Sequence, residues 1–338
     1  MAPIFSDSLQ AISIYLKSLP LSGNRAEWKK ETPLLLTLKA AFLPPLFNNQ
    51  TLMLKIKLYR ITTLVMLPLF ILCQREPIPA FHVIPAPFVY TIVEHNESIY
   101  YSTPSGEIFR FHPDNPDSIV LLARKKGCPI RGLAFKKDGT LYVSSYEYGI
   151  HRLSHDSLIA VPKMGRRAWA MKLDGFDNIW LAGRWGVFRQ KNDTLIKFTD
   201  LREAYDVDFY QGYLAVAHRS GITLYDTSTG QTEKKFSITE IFWTIDIFDS
   251  LLTAGGVQTC ALIHNQNEQY VPLGGDHNIP WSIVRDGNGN LILGTEKGLY
   301  RIRSGKMKAE CISFKGKCIK SLLIDSKGRL WVGRYFKQ

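Results

Sequence analysis

"WSIVRDGNGNLILGTEKGLYRI", residues 281–302, holds the pattern on which the fold turns. An apolar run opens at Trp281, a polar turn follows at Asp286–Asn290, a second run starts at Leu291, and a Gly-bearing turn leads into a third run at Gly298. Short apolar runs bounded by Gly, Asp and Asn read as β-strands joined by tight turns. The "DGNGN" turn has the look of a calcium loop, but it lacks the distal Glu of one and recurs as a hairpin turn elsewhere, so no metal is predicted.

The unit repeats along the chain. Comparable stretches begin at Tyr90, Arg131, Trp169, Tyr205, Trp243 and Lys320, and the seven anchors are spaced by 41, 38, 36, 38, 38 and 39 residues. A period of about 40 residues, with four short strands per unit and the fourth the least regular, predicts an all-β, seven-bladed β-propeller over residues 88–338. High aromatic content (Phe 18, Tyr 15, Trp 7) fits an all-β chain.

The units from Arg131, Trp169, Trp281 and Lys320 resemble the two-component regulator propeller repeat, whose core is Asp-x-x-Gly-x-Leu-Trp-x-Gly followed by Gly-Leu-Tyr. The units from Tyr205 and Trp243 keep the strands and lose the turn motif. The resemblance implies sensing in the periplasm or at the cell surface, often of oligosaccharides, with any signal passed on through a partner.

The last unit, from Lys320, shows only two strands. An unpaired sheet edge invites aggregation, and propellers avoid it by completing one blade from both ends of the chain. Residues 74–87 are read as a linker whose segment Ala80–Pro85, "AFHVIP", supplies an outer strand to the seventh blade and leaves it one strand short. The competing expectation is a sequence cut before its final strands.

Ahead of this lies "MLKIKLYRITTLVMLPLFILC", residues 53–73, with Lys55, Lys57 and Arg60, an apolar run from Ile61 to Leu72, and then Cys73. That is the layout of a bacterial secretory signal. The run of 12 residues spans roughly 18 Å as helix, short of a bilayer core of about 30 Å. Its end resembles a lipobox, which implies acylation of Cys73, a membrane anchor and the bacterial cell envelope, either periplasm or outer membrane. Leu72 departs from the small residue usual there, and a plain signal peptide is the alternative. Residues 1–52 are read as an upstream extension outside the mature protein.

The chain carries a net charge of +12; residues 1–73 hold 8 Lys/Arg and 3 Asp/Glu, so the remainder keeps +7. Such a balance favours polyanions or an anionic membrane surface. No cofactor and no nucleic-acid partner are expected. Cys73, Cys128, Cys260, Cys311 and Cys318 form no CxxC pair; Cys311 and Cys318 either bridge one loop or remain free thiols.

In a propeller the start of each first strand and the turn between strands two and three share one face of the disc. That face is predicted to collect Tyr90, Arg131, Trp169, Tyr205, Trp243, Trp281 and Lys320, together with Tyr146, Arg184, Trp185, His218 and Arg334, and His277 from the loop Gly274–Trp281. Rings interleaved with Arg and His suit an acidic carbohydrate: sugar faces stack on the aromatics and guanidinium groups grip carboxylates. A protein partner is the other occupant expected there. A single Trp at such a position more often packs between blades than contacts ligand. The turn residues Asp138, Asp174, Asp286 and Asp325 fall on the opposite face.

No GxSxG, HExxH, SxxK or P-loop occurs. The first reading is therefore a non-catalytic binding propeller. The alternatives are a polysaccharide lyase on acidic glycans, with His218, Tyr146 and Arg184 as base and charge-neutralising residues, and a protein-interaction scaffold.

Overall fold

The computed structural model describes residues 80–336, apart from residues 165–166, 211, 237–239 and 265–266. The upstream extension, the signal-like segment and Cys73 lie outside the described residues. What is described is a ring of seven sheets, six with four strands and one with three, and no helix among the described residues. Each four-stranded blade is an antiparallel meander in chain order, from the first strand on the channel to the fourth at the periphery. The first strands neighbour one another around the whole circle, that of blade 7 (Ile319–Ile324) meeting that of blade 1 (Thr91–His95).

Burial explains the strand sequences. Second strands such as Ile179–Gly183 and Leu291–Thr295 are buried at every position, because a neighbouring blade covers each side, and so they read as continuous apolar runs rather than alternating ones. Fourth strands such as Ser157–Ala160 face solvent, which is why their pattern is weak. The core divides into seven clusters, one at each interface between adjacent blades.

Closure follows the predicted route. Phe81–Val83 pairs with Leu330–Val332 of blade 7, and the pairing is parallel, so the segment lies beside the second strand as the third member of that sheet. The chain then crosses the seam: Ile84 N donates to Val332 O (3.1 Å) and Val89 N to Arg334 O (2.8 Å). Ile84 and Val89 are fully buried in the cluster that joins Trp331 of blade 7 to Ile99 and Phe111 of blade 1.

The repeat motif has a local physical cause. In blade 7, Asp325 Oδ1 accepts the amides of Lys327 and Arg329, which closes the first turn, while Oδ2 accepts the indole N–H of buried Trp331 at 2.9 Å. Asp174 does the same for Phe176, Asn178 and Trp180. At the glycine that opens the third strand, a side chain has no room: a Cβ on Gly186, at φ 118°, would lie 2.2 Å from Thr199 O. Cys128, Cys260, Cys311 and Cys318 are free thiols, so the Cys311–Cys318 bridge is not formed.

Candidate functional site

The seven strand-entry anchors, with Tyr146, line the mouth of the central channel and touch in sequence around it. Tyr146 stacks on Trp169 (centroids 5.9 Å) and Trp169 on Tyr205 (4.9 Å), while Tyr205 meets Trp243 (4.3 Å) and Trp243 meets Trp281 (5.6 Å) at tilted angles of 36° and 59°. Cations complete the circle. Lys320 Nζ sits 3.0 Å over the Trp281 ring and 5.8 Å from Tyr90, and the Arg131 guanidinium lies between Tyr90 (5.2 Å) and Tyr146 (5.3 Å). All seven anchors line one cavity of about 800 Å³, the size of a small-molecule site.

Where two rings stack, Tyr146 on Trp169 and Trp169 on Tyr205, the neighbour covers a face that a sugar would use. Arg131, Arg184 and Lys320 have ring contacts but no ion pair among the described residues. Arg131 Nε and Trp243 Nε1 are buried with no acceptor there. The mouth therefore has a surplus of donors and positive charge.

The remaining predicted residues scatter. Arg184 lines the cavity and packs over Trp185, which is 52% exposed on the rim with Arg202 also against it. Arg334 lies over Phe336, and the adjacent Tyr335 packs on Tyr90. His277 is exposed on its loop, at φ 52°. His218 is buried inside blade 4, where its Nδ1 accepts from Ser220 N (3.2 Å) and its Nε2 bonds Thr223 Oγ1 (2.9 Å). Burial, assisted by Lys235, lowers its pKa to about 4. It is not among the cavity residues, so His218, Tyr146 and Arg184 do not assemble as a lyase trio.

Deeper in the channel is a charge cluster that the sequence reading missed. Lys172 of blade 3 lies 3.4 Å from Asp246 of blade 5 and 3.9 Å from Asp208 of blade 4. Asp206 accepts from Thr244 Oγ1, Ile245 N and Val207 N, and Asp208 from Ile247 N, so both carboxylates tie blade 4 to the first strand of blade 5. Burial raises the pKa of Asp206 and Asp246, with Lys172 opposing it. Burial pulls Lys172 down, and the three carboxylates more than reverse this. The available signal was charge in first strands, "AMKL", "YDVDF" and "TIDIF": three residues after the anchor stand Lys172, Asp208 and Asp246, where the other blades carry Val93, Ala134, Val284 and Leu323.

The opposite face behaves differently, because its charges pair from blade to blade. Lys137 N donates to Asp177 (2.8 Å), Arg285 pairs with Asp249 (2.8 Å) and Lys327 with Asp114 (2.8 Å). Among the described residues no group of three or more His, Cys, Asp or Glu is placed to hold a metal ion.

No family model matches the chain, and no curated protein does. Solved structures share the fold. The extracellular domain of the hybrid two-component system BT4673 from B. thetaiotaomicron matches with TM-score 0.63 and 17% identity over 77% of this chain, which spans 38% of the length of that one. The WD40 propeller domain of Doa1 matches with TM-score 0.62 and 12% identity, over 74% of this chain and 90% of that one. Streptogramin B lyase matches with TM-score 0.61 and 11% identity, over 75% and 92%. At these identities the likeness is one of fold.

Proposed function

We propose that this propeller is a non-catalytic binding module of the bacterial cell envelope that takes an acidic oligosaccharide at the mouth of its channel. The observation that carries the reading is the donor surplus there: Lys320, Arg131 and Arg184, without ion-pair partners among the described residues, in the wall of one cavity. Carboxylate or sulfate groups supply the acceptors that this wall lacks. Recognition is then chiefly electrostatic, through the cations in the cavity wall. The signal-like stretch Met53–Cys73 supports export and lipid anchoring, and the fold shared with an extracellular sensor domain agrees with a place in the envelope.

The test is a panel of matched acidic and neutral oligosaccharides measured by calorimetry at two salt concentrations. Acidic members bind, neutral ones do not, and affinity falls with salt because exposed charges act over a Debye length of about 8 Å at physiological ionic strength. The double variant Arg131→Gln, Arg184→Gln weakens binding and shows a smaller salt dependence. Binding that ignores ligand charge would overturn the reading. The mutual stacking of the rings favours a second one, in which they plug the channel and the rim docks a protein.

A further inference from the structure

Two lysines line the same cavity in opposite circumstances. Lys172 is held by the carboxylates of Asp246 and Asp208. Lys320 has neither an ion pair nor a hydrogen-bond acceptor among the described residues, and its amine rests on the Trp281 ring at 3.0 Å. The nearest carboxylate is no substitute: Glu296 accepts the Trp281 indole N–H (2.8 Å) and the Cys318 thiol (3.4 Å). On the other side of Tyr90 stands the Arg131 guanidinium, a like charge.

An amine in an apolar wall beside a second cation, open to a cavity and with no carboxylate in ion-pair contact among the described residues, is the setting in which a lysine acts as a nucleophile. We propose that Lys320 condenses with a small aldehyde or α-keto acid bearing an anionic group, which makes the channel mouth a carbonyl-capture site. The amine nitrogen attacks the carbonyl carbon to give a carbinolamine, and loss of that hydroxyl as water leaves an imine. No electrons are transferred, and hydrolysis reverses the step. Arg131, with no ion pair among the described residues, donates to the anionic end of the ligand from the same wall. Burial, with Arg131 adding to it against Cys318 and Glu296, lowers the Lys320 pKa to about 7, so much of the amine is free at neutral pH.

The test uses the full chain with glyoxylate and cyanoborohydride at pH 7, which converts an imine to a stable carboxymethyl-lysine, followed by peptide mass spectrometry. The exposed Lys297 and Lys317 serve as references. An ordinary lysine, with a pKa near 10.4, has far less than about 1% free amine at pH 7, so Lys320 should be labelled at least about tenfold faster than either reference. Lys172, held by its carboxylates, should stay unlabelled. The advantage of Lys320 disappears in denaturant. Lys320→Arg keeps the cation, loses the label and unfolds at a similar temperature. Labelling of Lys320 no faster than of Lys297 and Lys317 would overturn the proposal, and labelling as fast with acetaldehyde as with glyoxylate would overturn the anionic requirement. Neither outcome depends on saccharide binding, so the two proposals fail separately.

Discussion

Ile84→Ala probes the seam that turns seven sheets into a ring. Ile84 is 0% exposed, its amide donates to Val332 O, and its side chain packs with Trp331 and Phe111, whose rings lie edge to face at 5.2 Å. Truncation removes three carbons. Two aromatic rings already in contact cannot collapse far into the space, so within the usual range for Ile→Ala the cost should be about 3 kcal/mol. At about 2–4 °C per kcal/mol for a domain of this size, the melting temperature falls by roughly 6–12 °C. The control is Ile159→Ala on the outer strand of blade 2, 43% exposed, where the cost is within about 0.5 kcal/mol. Differential scanning calorimetry of the three proteins side by side reads the difference. Equal falls for the two variants would show that the segment from Phe81 to Val89 does not hold blade 7 to blade 1.

Asp325→Ala orphans the Trp331 indole and the amides of Lys327 and Arg329, so it should cost about 3 kcal/mol by chemical denaturation, whereas Asp138→Ala, which loses chiefly the Thr140 amide, costs about 1 kcal/mol or less. Burial raises the Asp246 pKa to about 7, so between about pH 4 and 7 the folded chain holds a proton that the unfolded chain has released, and stability falls as pH rises through that window. The stability difference between wild type and Asp246→Asn should follow that slope, and a flat difference would mean that the carboxylate titrates normally. A peptide map without reductant should find Cys311 and Cys318 in separate peptides; a linked pair would contradict the two free thiols.

The architecture was legible because its causes are local. In the two turn motifs that carry a Trp, the Asp and the Trp lie six residues apart, Asp174 with Trp180 and Asp325 with Trp331, and so both partners sit within one quoted unit. Closure was legible for the opposite reason: blade 7 lacked strands, and only the segment ahead of blade 1 offered one. The site was half legible. Periodicity placed seven anchors on one face, but whether a ring turns its face or its edge to the channel depends on the neighbour one blade away, 36 to 41 residues along the chain. The same distance hid the Lys172 cluster, whose partners come from three different blades. His218 looked like a functional histidine from its place in a turn, yet Thr223 and Ser220, close by in sequence, satisfy both of its ring nitrogens.

The account rests on the top face as the place where an anionic ligand is held. A crystal structure of the protein grown with trigalacturonate, a short oligomer with one carboxylate per sugar, tests this most directly. The account predicts ligand density in the channel mouth, with a carboxylate within hydrogen-bond distance of Lys320, Arg131 or Arg184. Density on the opposite face, among the turns of Asp138, Asp174, Asp286 and Asp325, or an empty mouth at a ligand concentration that saturates binding in solution, would contradict it.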